Sequence, residues 1–416
     1  MLDTDNIELN NDFKKALRFM EDTNKNIFLT GRAGTGKSTL LQYFRDTTKK
    51  NIVVLAPTGV AAVNVKGQTI HSFFGFVPGV TVDNIRKSPA HKKKIYKNID
   101  TLVIDEVSMV RADLLDCVDM FLRLNGPHKD LPFGGIQMIF VGDLYQLPPV
   151  VPSDEEEIFE TYYKGPYFFN AKVFDNLSLF NDLSFYSIEL KKIYRQKDRE
   201  FIEILDAIRK GIADEKHLKI INEKVDQSFS GSLNDFYIHL TSTNHMADAI
   251  NVERLSQIEK EPHEFKGTIQ RDFSKGYLPT NESLILKEGA QIMMLNNDGK
   301  KRWINGDVGK ITKIRNDSVF VELSNGRKEV VVPYIWQRVR YFYNISEKRI
   351  DSETVGSFTQ YPIKLAWAVT IHKGQGKTFD KVIVDFGRGT FAFGQSYVAL
   401  SRCTSLNGLI LKTALE

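Results

Sequence analysis

Four short runs of consecutive apolar residues stand out in the first third of the chain: Ile27 to Thr30, Asn51 to Ala56, Leu102 to Ile104 and Met138 to Val141. A strand covered on one face alternates apolar and polar side chains, whereas a strand covered on both has no reason to alternate. Continuous β-branched runs with helical stretches between them therefore predict buried parallel strands of an α/β sheet. A second α/β section is expected from about Ser184, with strands at Tyr237–Thr241 and Val382–Val384 and a helix from Asn244 to Leu255. Residues 305–334 read differently. Val308 to Ile314, Ser318 to Leu323 and Lys328 to Val332 form short strands, and Asn325-Gly326 is a tight-hairpin signal. This predicts a small β unit inserted into the second α/β section.

Composition sets the frame around that pattern. A chain of 416 residues is about three typical domains long, so two or three are expected. Hydrophobic residues at 42% and charged residues at 26% are enough for a large core and exclude a disordered chain. Two cysteines, Cys117 and Cys403, cannot build a zinc cluster or a disulfide framework. The acidic, polar N-terminus is unlike a signal peptide, and no apolar run nears the roughly 20 residues of a bilayer span. An intracellular protein with no membrane partner is expected. The net charge of +4 permits a nucleic-acid partner without demanding one, because a basic channel can hide in a near-neutral total. Residues 86–97 hold six Lys or Arg and no acid. A solvated surface loop and a DNA-backbone contact both fit such a run.

Gly31-Arg32-Ala33-Gly34-Thr35-Gly36-Lys37-Ser38 fits G-x-x-x-x-G-K-[ST] at every fixed position. It follows a predicted strand and opens a helix at Thr39, the context of a phosphate-binding loop. Backbone N–H groups and the helix N-terminus would wrap phosphates, Lys37 would neutralise their charge, and Ser38 would hold Mg²⁺. Leu102-Val103-Ile104-Asp105-Glu106 is a strand ending in two carboxylates. Asp105 is assigned to the metal and Glu106 to the attacking water. Together these predict an enzyme that hydrolyses a nucleoside triphosphate, with ATP and Mg²⁺ as cofactors.

Further segments narrow the kind. They are Ala56 to Ala62, Gly67 to Phe74, Gly142 to Val150, Glu189 to Asp198 followed by Arg209 and Gly211, Leu240 to Asn244, Leu365 to Asp380 and Gln395 to Arg402. In this order, from about residue 9 to residue 412, the chain resembles superfamily 1 helicases, most of all the Pif family of 5′→3′ DNA helicases and their RecD-like relatives. The resemblance implies two RecA-like motor domains, the first at 1–180 and the second at 181–296 plus 363–416. It also implies an SH3-like β-barrel at 297–362 and a short wedge at about 63–85. It makes Gln146 a γ-phosphate sensor and Arg195 and Arg402 arginine fingers, with Arg195 reaching in from the second motor. Gly34, Thr35, Gly36, Thr39, Gly376 and Lys377 would line the nucleotide. Single-stranded DNA would meet Pro57, Thr58, Gly59, Val60, His71, Ser72 and Phe73 on one motor, and Ser242, Asn244, Thr370, His372 and Lys373 on the other. Core packing is the alternative for Phe73 and Phe74. Forks, G-quadruplexes and RNA–DNA hybrids are the implied obstacles, met by a monomer or by a dimer formed on DNA.

The chain departs from the family at one place. A glutamine that reads adenine is usual near the N-terminus, and Leu9-Asn10-Asn11-Asp12-Phe13 contains none. Two other readings stand beside the helicase: a translocase that strips proteins from a strand, and a nucleotide-regulated binding module. The joint presence of Lys37, Glu106, Gln146, Arg195 and Arg402 disfavours the second, since a pure binder needs no full hydrolytic set.

Overall fold

A computed structural model of the chain describes residues 9–178, 185–233, 235–315, 318–387 and 394–416. The apolar runs become a six-stranded sheet. Its strands are β1 (Ile27–Gly31), β2 (Ile52–Ala56), β3 (Gln68–Thr69), β4 (Thr101–Ile104), β5 (Gln137–Val141) and β6 (Tyr186–Leu190). They lie in the order β3-β2-β4-β5-β1-β6 and pair in parallel throughout. β4 and β5 are buried at every position, which is why their sequence shows no alternation. Val54, Val103, Ile139 and Val141 pack against Phe13, Met20, Leu40 and Phe44 of two helices on one face. Leu55, Leu102, Ile104, Met138 and Phe140 meet Leu115, Val118 and Leu122 of helix Ala112–Asn125 on the other. Each such side chain contributes about 1.5–3 kcal/mol through burial.

β6 alternates, with Ile188 and Leu190 buried and Ser187 and Glu189 exposed, as suits an edge strand covered on one face. It pairs with β1, so the first sheet extends past residue 180, beyond the boundary expected for the first motor.

A second parallel sheet joins Ala368–Thr370, Ile238–Thr241, Val382–Asp385 and Leu409–Leu411 in that order. Between its first two strands in sequence lies the expected β region. Val308–Arg315, Ser318–Leu323 and Lys328–Val331 form an antiparallel meander, turned at Asn325-Gly326 with Gly326 at φ 82°. Gln291–Met294 and Ile363–Leu365 complete that sheet, which therefore overruns the expected 297–362 at both ends. A hairpin of Tyr334–Asn344 and Arg349–Gln360 forms a long arm that reaches the first sheet. There the Tyr341 N–H donates to Gln68 Oε1 at 2.9 Å, and the Ile350 N–H to Asn51 Oδ1 at 3.0 Å.

The insert expected at 63–85 is largely part of the first core. Gln68–Thr69 is a strand, and Ile70, Phe73 and Phe74 are buried. What projects is the turn Gly75–Val80, where Val77 is 67% exposed. No helix among the described residues is long and apolar enough to cross a membrane.

Candidate nucleotide and strand site

The loop after β1 turns through Gly34 and Gly36 at φ 81° and 87°, a left-handed conformation that glycine adopts without strain. A Cβ on Gly34 would collide with the Arg195 side chain, and one on Gly36 with the Phe13 ring. Lys37 Nζ donates to the carbonyls of Gly31 at 2.6 Å and Arg32 at 3.1 Å. Burial lowers its pKa, opposed by Asp143, Glu106 and Asp105. Ser38 and Thr39 are exposed in the first turn of helix Lys37–Thr47. Thr35 is buried with its hydroxyl donating to the Arg32 carbonyl at 2.9 Å, so its side chain shapes the loop rather than facing a ligand.

Asp105 and Glu106 leave β4 side by side. Asp105 is 7% exposed, and burial followed by the Glu106 charge pushes its carboxyl up to about 7. Burial also raises Glu106, whose backbone sits at φ 51°. Gln375 Nε2 donates to Glu106 Oε2 at 3.1 Å and to Gln146 Oε1 at 3.0 Å, and Gln146 Nε2 donates to Asp143 Oδ2 at 3.3 Å. One amide of the second unit thus joins two polar groups of the first. The sequence pattern singled out the Gly374–Lys377 turn but not Gln375. A Mg²⁺ ion takes one or two carboxylate or hydroxyl ligands and completes its shell with phosphate and water. Buried Asp105, which has no ion-pair partner among the described residues, and the exposed Ser38 hydroxyl fit that demand.

Arg195 and Arg402 meet at the same place. Arg195 donates to the carbonyls of Ser401 and Gly376, both at 3.2 Å. Arg402, 1% exposed, donates to Val398 O at 2.8 Å, Ser401 Oγ at 2.8 Å and Lys377 O at 3.3 Å. Neither has a carboxylate partner among the described residues. Burial and then the Arg402 charge hold Arg195 well below its usual range, and burial brings Arg402 down to about 10. Two crowded cations held by carbonyls are an arrangement that a polyphosphate would stabilise. The expected origin of Arg195 is corrected: it follows β6 of the first sheet and packs on Gly34, while its guanidinium reaches the second unit. Gly376 and Lys377 enter through their carbonyls, and the Lys377 ammonium is bound to Asn305 Oδ1 of the β region instead.

Two further contacts across the units have no counterpart in the sequence pattern, although Asp143 and Arg209 lie inside the helicase-like segments. Arg209 and Asp143 form a buried ion pair at 3.0 Å, and the Ala33 N–H donates to Tyr397 OH at 3.0 Å.

The expected strand contacts occupy matching places in the two sheets. Pro57–Val60 follow β2 and His71–Ser72 follow its neighbour β3, where Ala56 pairs with Thr69. Ser242 and Asn244 follow Ile238–Thr241, and Thr370–Lys373 the adjacent strand, where Thr241 pairs with Thr370. Thr58 and Thr370 cap short helices by accepting from Ala61 N and Lys373 N, both at 3.3 Å, which leaves each O–H free to donate. Val60, Asn244, His372 and Lys373 are exposed. Phe73 is corrected: at 7% exposure it packs among Phe74, Tyr96 and Tyr341 and offers no stacking face. The arm covers part of the first set. Arg338 donates to Ser72 Oγ at 3.1 Å, and Gly276 and Tyr277 press on Gly59.

At the N-terminus, Asn10 spends its amide on structure. Its Oδ1 accepts from Phe13 N at 2.8 Å and its Nδ2 donates to Tyr194 OH at 3.1 Å. Phe13, 2% exposed, fills the space beside Gly36.

A family model described as PIF1-like helicase matches residues 8–219. The ATP-dependent DNA helicase Pif1 of Campylobacter jejuni is 32% identical over 413 residues, spanning 92% of this chain and 88% of that protein. Among solved structures, Bacteroides Pif1 in complex with ADP-AlF4 is similar at a TM-score of 0.91 and 38% identity, covering 99% of this chain and 93% of that one. Bacteroides Pif1 bound to single-stranded DNA has the same coverage and 37% identity, yet a TM-score of 0.66.

Proposed function

The chain belongs to the PIF1-like helicase family, whose members are ATP-dependent DNA helicases, and we propose that it translocates 5′→3′ on single-stranded DNA by hydrolysing ATP between its two α/β units. The supporting observation is the junction itself: Gln375 binds Glu106 and Gln146 from across the interface, beside two guanidiniums that have no carboxylate partner among the described residues. Lys37 and the loop N–H groups hold the phosphates. Arg195 and Arg402 meet the charge that develops on the transferred group, and Glu106 takes the proton of the attacking water. Mg²⁺ held by Ser38 and Asp105 would neutralise phosphate charge. Closure on ATP and release after hydrolysis would alternate the grip of the two strand-contact sets.

For a strand to reach Gly59 and Ser72, the arm and residues 276–277 must move away from the places they cover. We read the β region as the SH3-like barrel and the Gly75–Val80 turn as the wedge. Forked duplexes, G-quadruplexes and RNA–DNA hybrids are the proposed substrates, and a monomer that can pair on DNA is the proposed working form.

Strand displacement tests this directly. ATP-dependent product is expected from a 5′-tailed duplex and none from a 3′-tailed one; the reverse preference would overturn the polarity. Glu106→Gln keeps the acceptor oxygen for Gln375 but cannot take a proton. It is expected to bind ATP normally while turnover falls roughly 10²–10⁴-fold. Turnover like that of the unaltered chain would remove Glu106 from the mechanism.

A further inference from the structure

We propose that the lysine face of helix Ala90–Lys97 holds the phosphate backbone of the duplex ahead of the tracked strand, an inference that rests on the single-strand reading above. The helix turns Ile95 and Tyr96 into the first core, at 8% and 5% exposure. Lys94 and Lys97 are exposed on the side of the helix away from Ile95 and Tyr96, where Lys93 also lies, and Arg86, Lys87 and Lys92 are exposed at its N-terminal end. Among the described residues none of these lysines, nor Lys93, has a carboxylate partner, and Arg86 binds only the carbonyls of Asp83 and Ile85. A face kept merely soluble is usually built from both signs of charge. Here Lys93 and Lys97 repel one turn apart and no acid offsets them.

The position of the face decides between a solvated surface and a contact. Tyr96 OH donates to the Phe73 carbonyl at 3.1 Å, and Phe73 belongs to the short helix that carries His71 and Ser72. Tyr96 and Phe76 both pack edge-on against Phe121, at 4.8 and 5.7 Å between centroids. One aromatic cluster therefore fixes three things together: the His71–Ser72 strand contact, the exposed Gly75–Val80 turn and the lysine face. Where the turn parts the strands, the lysines lie beside the duplex not yet opened. Flexible ammonium groups suit a backbone read without regard to sequence. Lys93 to Lys97 spans about 6 Å of helix axis, close to two phosphate steps along one strand.

The test uses the full chain with Lys93, Lys94 and Lys97 all changed to Gln, and a Lys→Glu version of the same triple. Binding to a 5′-tailed duplex and to the tail alone is measured over a salt series, together with hydrolysis stimulated by the tail. For the Gln triple, the slope of log K against log salt on the tailed duplex is expected to fall by about 2–3, at about 0.9 for each phosphate no longer neutralised. The tail-only slope and the stimulated hydrolysis should stay unchanged, and the Glu triple should weaken duplex binding further. An unchanged slope on the tailed duplex would return the face to a solvated surface. An equal drop in slope on the tail alone would move the lysines to the single strand and overturn the duplex assignment. An unaltered chain whose hydrolysis the tail does not stimulate would overturn the single-strand reading itself, and this inference with it.

Discussion

Lys37→Ala is expected to leave a folded protein that no longer turns over ATP, with a loss of at least about 10³-fold set by the missing charge on the phosphates. The fold survives for a local reason. The loop conformation is carried by Gly34 and Gly36 and by helix Lys37–Thr47, whose Leu40, Leu41 and Phe44 are buried in the first core. The ammonium adds only bonds to the Gly31 and Arg32 carbonyls. Those bonds offset the cost of placing its charge in a buried site, so removing both should change stability by about 1 kcal/mol or less. Chemistry has no such compensation. Ser38 and Thr39 carry no charge, and both Arg195 and Arg402 are anchored to carbonyls of the second unit. A thermal melt paired with a phosphate-release assay separates the two effects. Near-normal turnover at an unchanged melting point would take Lys37 out of the mechanism.

The contrast between β5 and β6 shows what the hydrophobic pattern could carry. β5 is covered on both faces and reads as one apolar block, whereas β6 is an edge strand and alternates. Its alternation was visible, but the sheet it joins depends on pairing with β1 more than 150 residues earlier, which no local pattern encodes. The long hairpin was invisible for a different reason. Its pairing shifts register between Arg338 and Val339, and the burial of Tyr334–Asn344 follows no clean period. At the candidate site, positions with a special backbone were legible, since glycine at Gly34 and Gly36 answers a steric demand. Side chains whose role depends on what faces them were not. Phe73 is as good a stacking ring as a core residue until Tyr96 and Tyr341 are seen around it. Gln375 is an ordinary turn residue until it spans Glu106 and Gln146.

Arg402→Ala is expected to keep most ATP binding and to lose DNA-stimulated turnover by about 10³–10⁵-fold, the range for charge supplied to a transferring phosphoryl group. Because Arg402 is 1% exposed, truncation also leaves the Lys377 carbonyl without that donor and the Val398 carbonyl with the Ser401 hydroxyl alone, and some instability must be kept apart from the kinetic loss. Arg402→Lys does this: it keeps a cation and most of the packing volume but not the planar fork, and should recover stability more fully than turnover. Arg195 sharpens the comparison. Its guanidinium binds the Ser401 carbonyl while Arg402 binds the Ser401 hydroxyl, so the two are set by one residue and repel each other. Groups that act on one charge as a unit are not additive, so the Arg195→Ala, Arg402→Ala double variant should be little slower than the worse single. Losses that multiply would show the two acting at separate steps. DNA-stimulated turnover retained in a folded Arg402→Ala chain would leave Arg402 as a structural tie between Val398 and Lys377, with Arg195 as the finger.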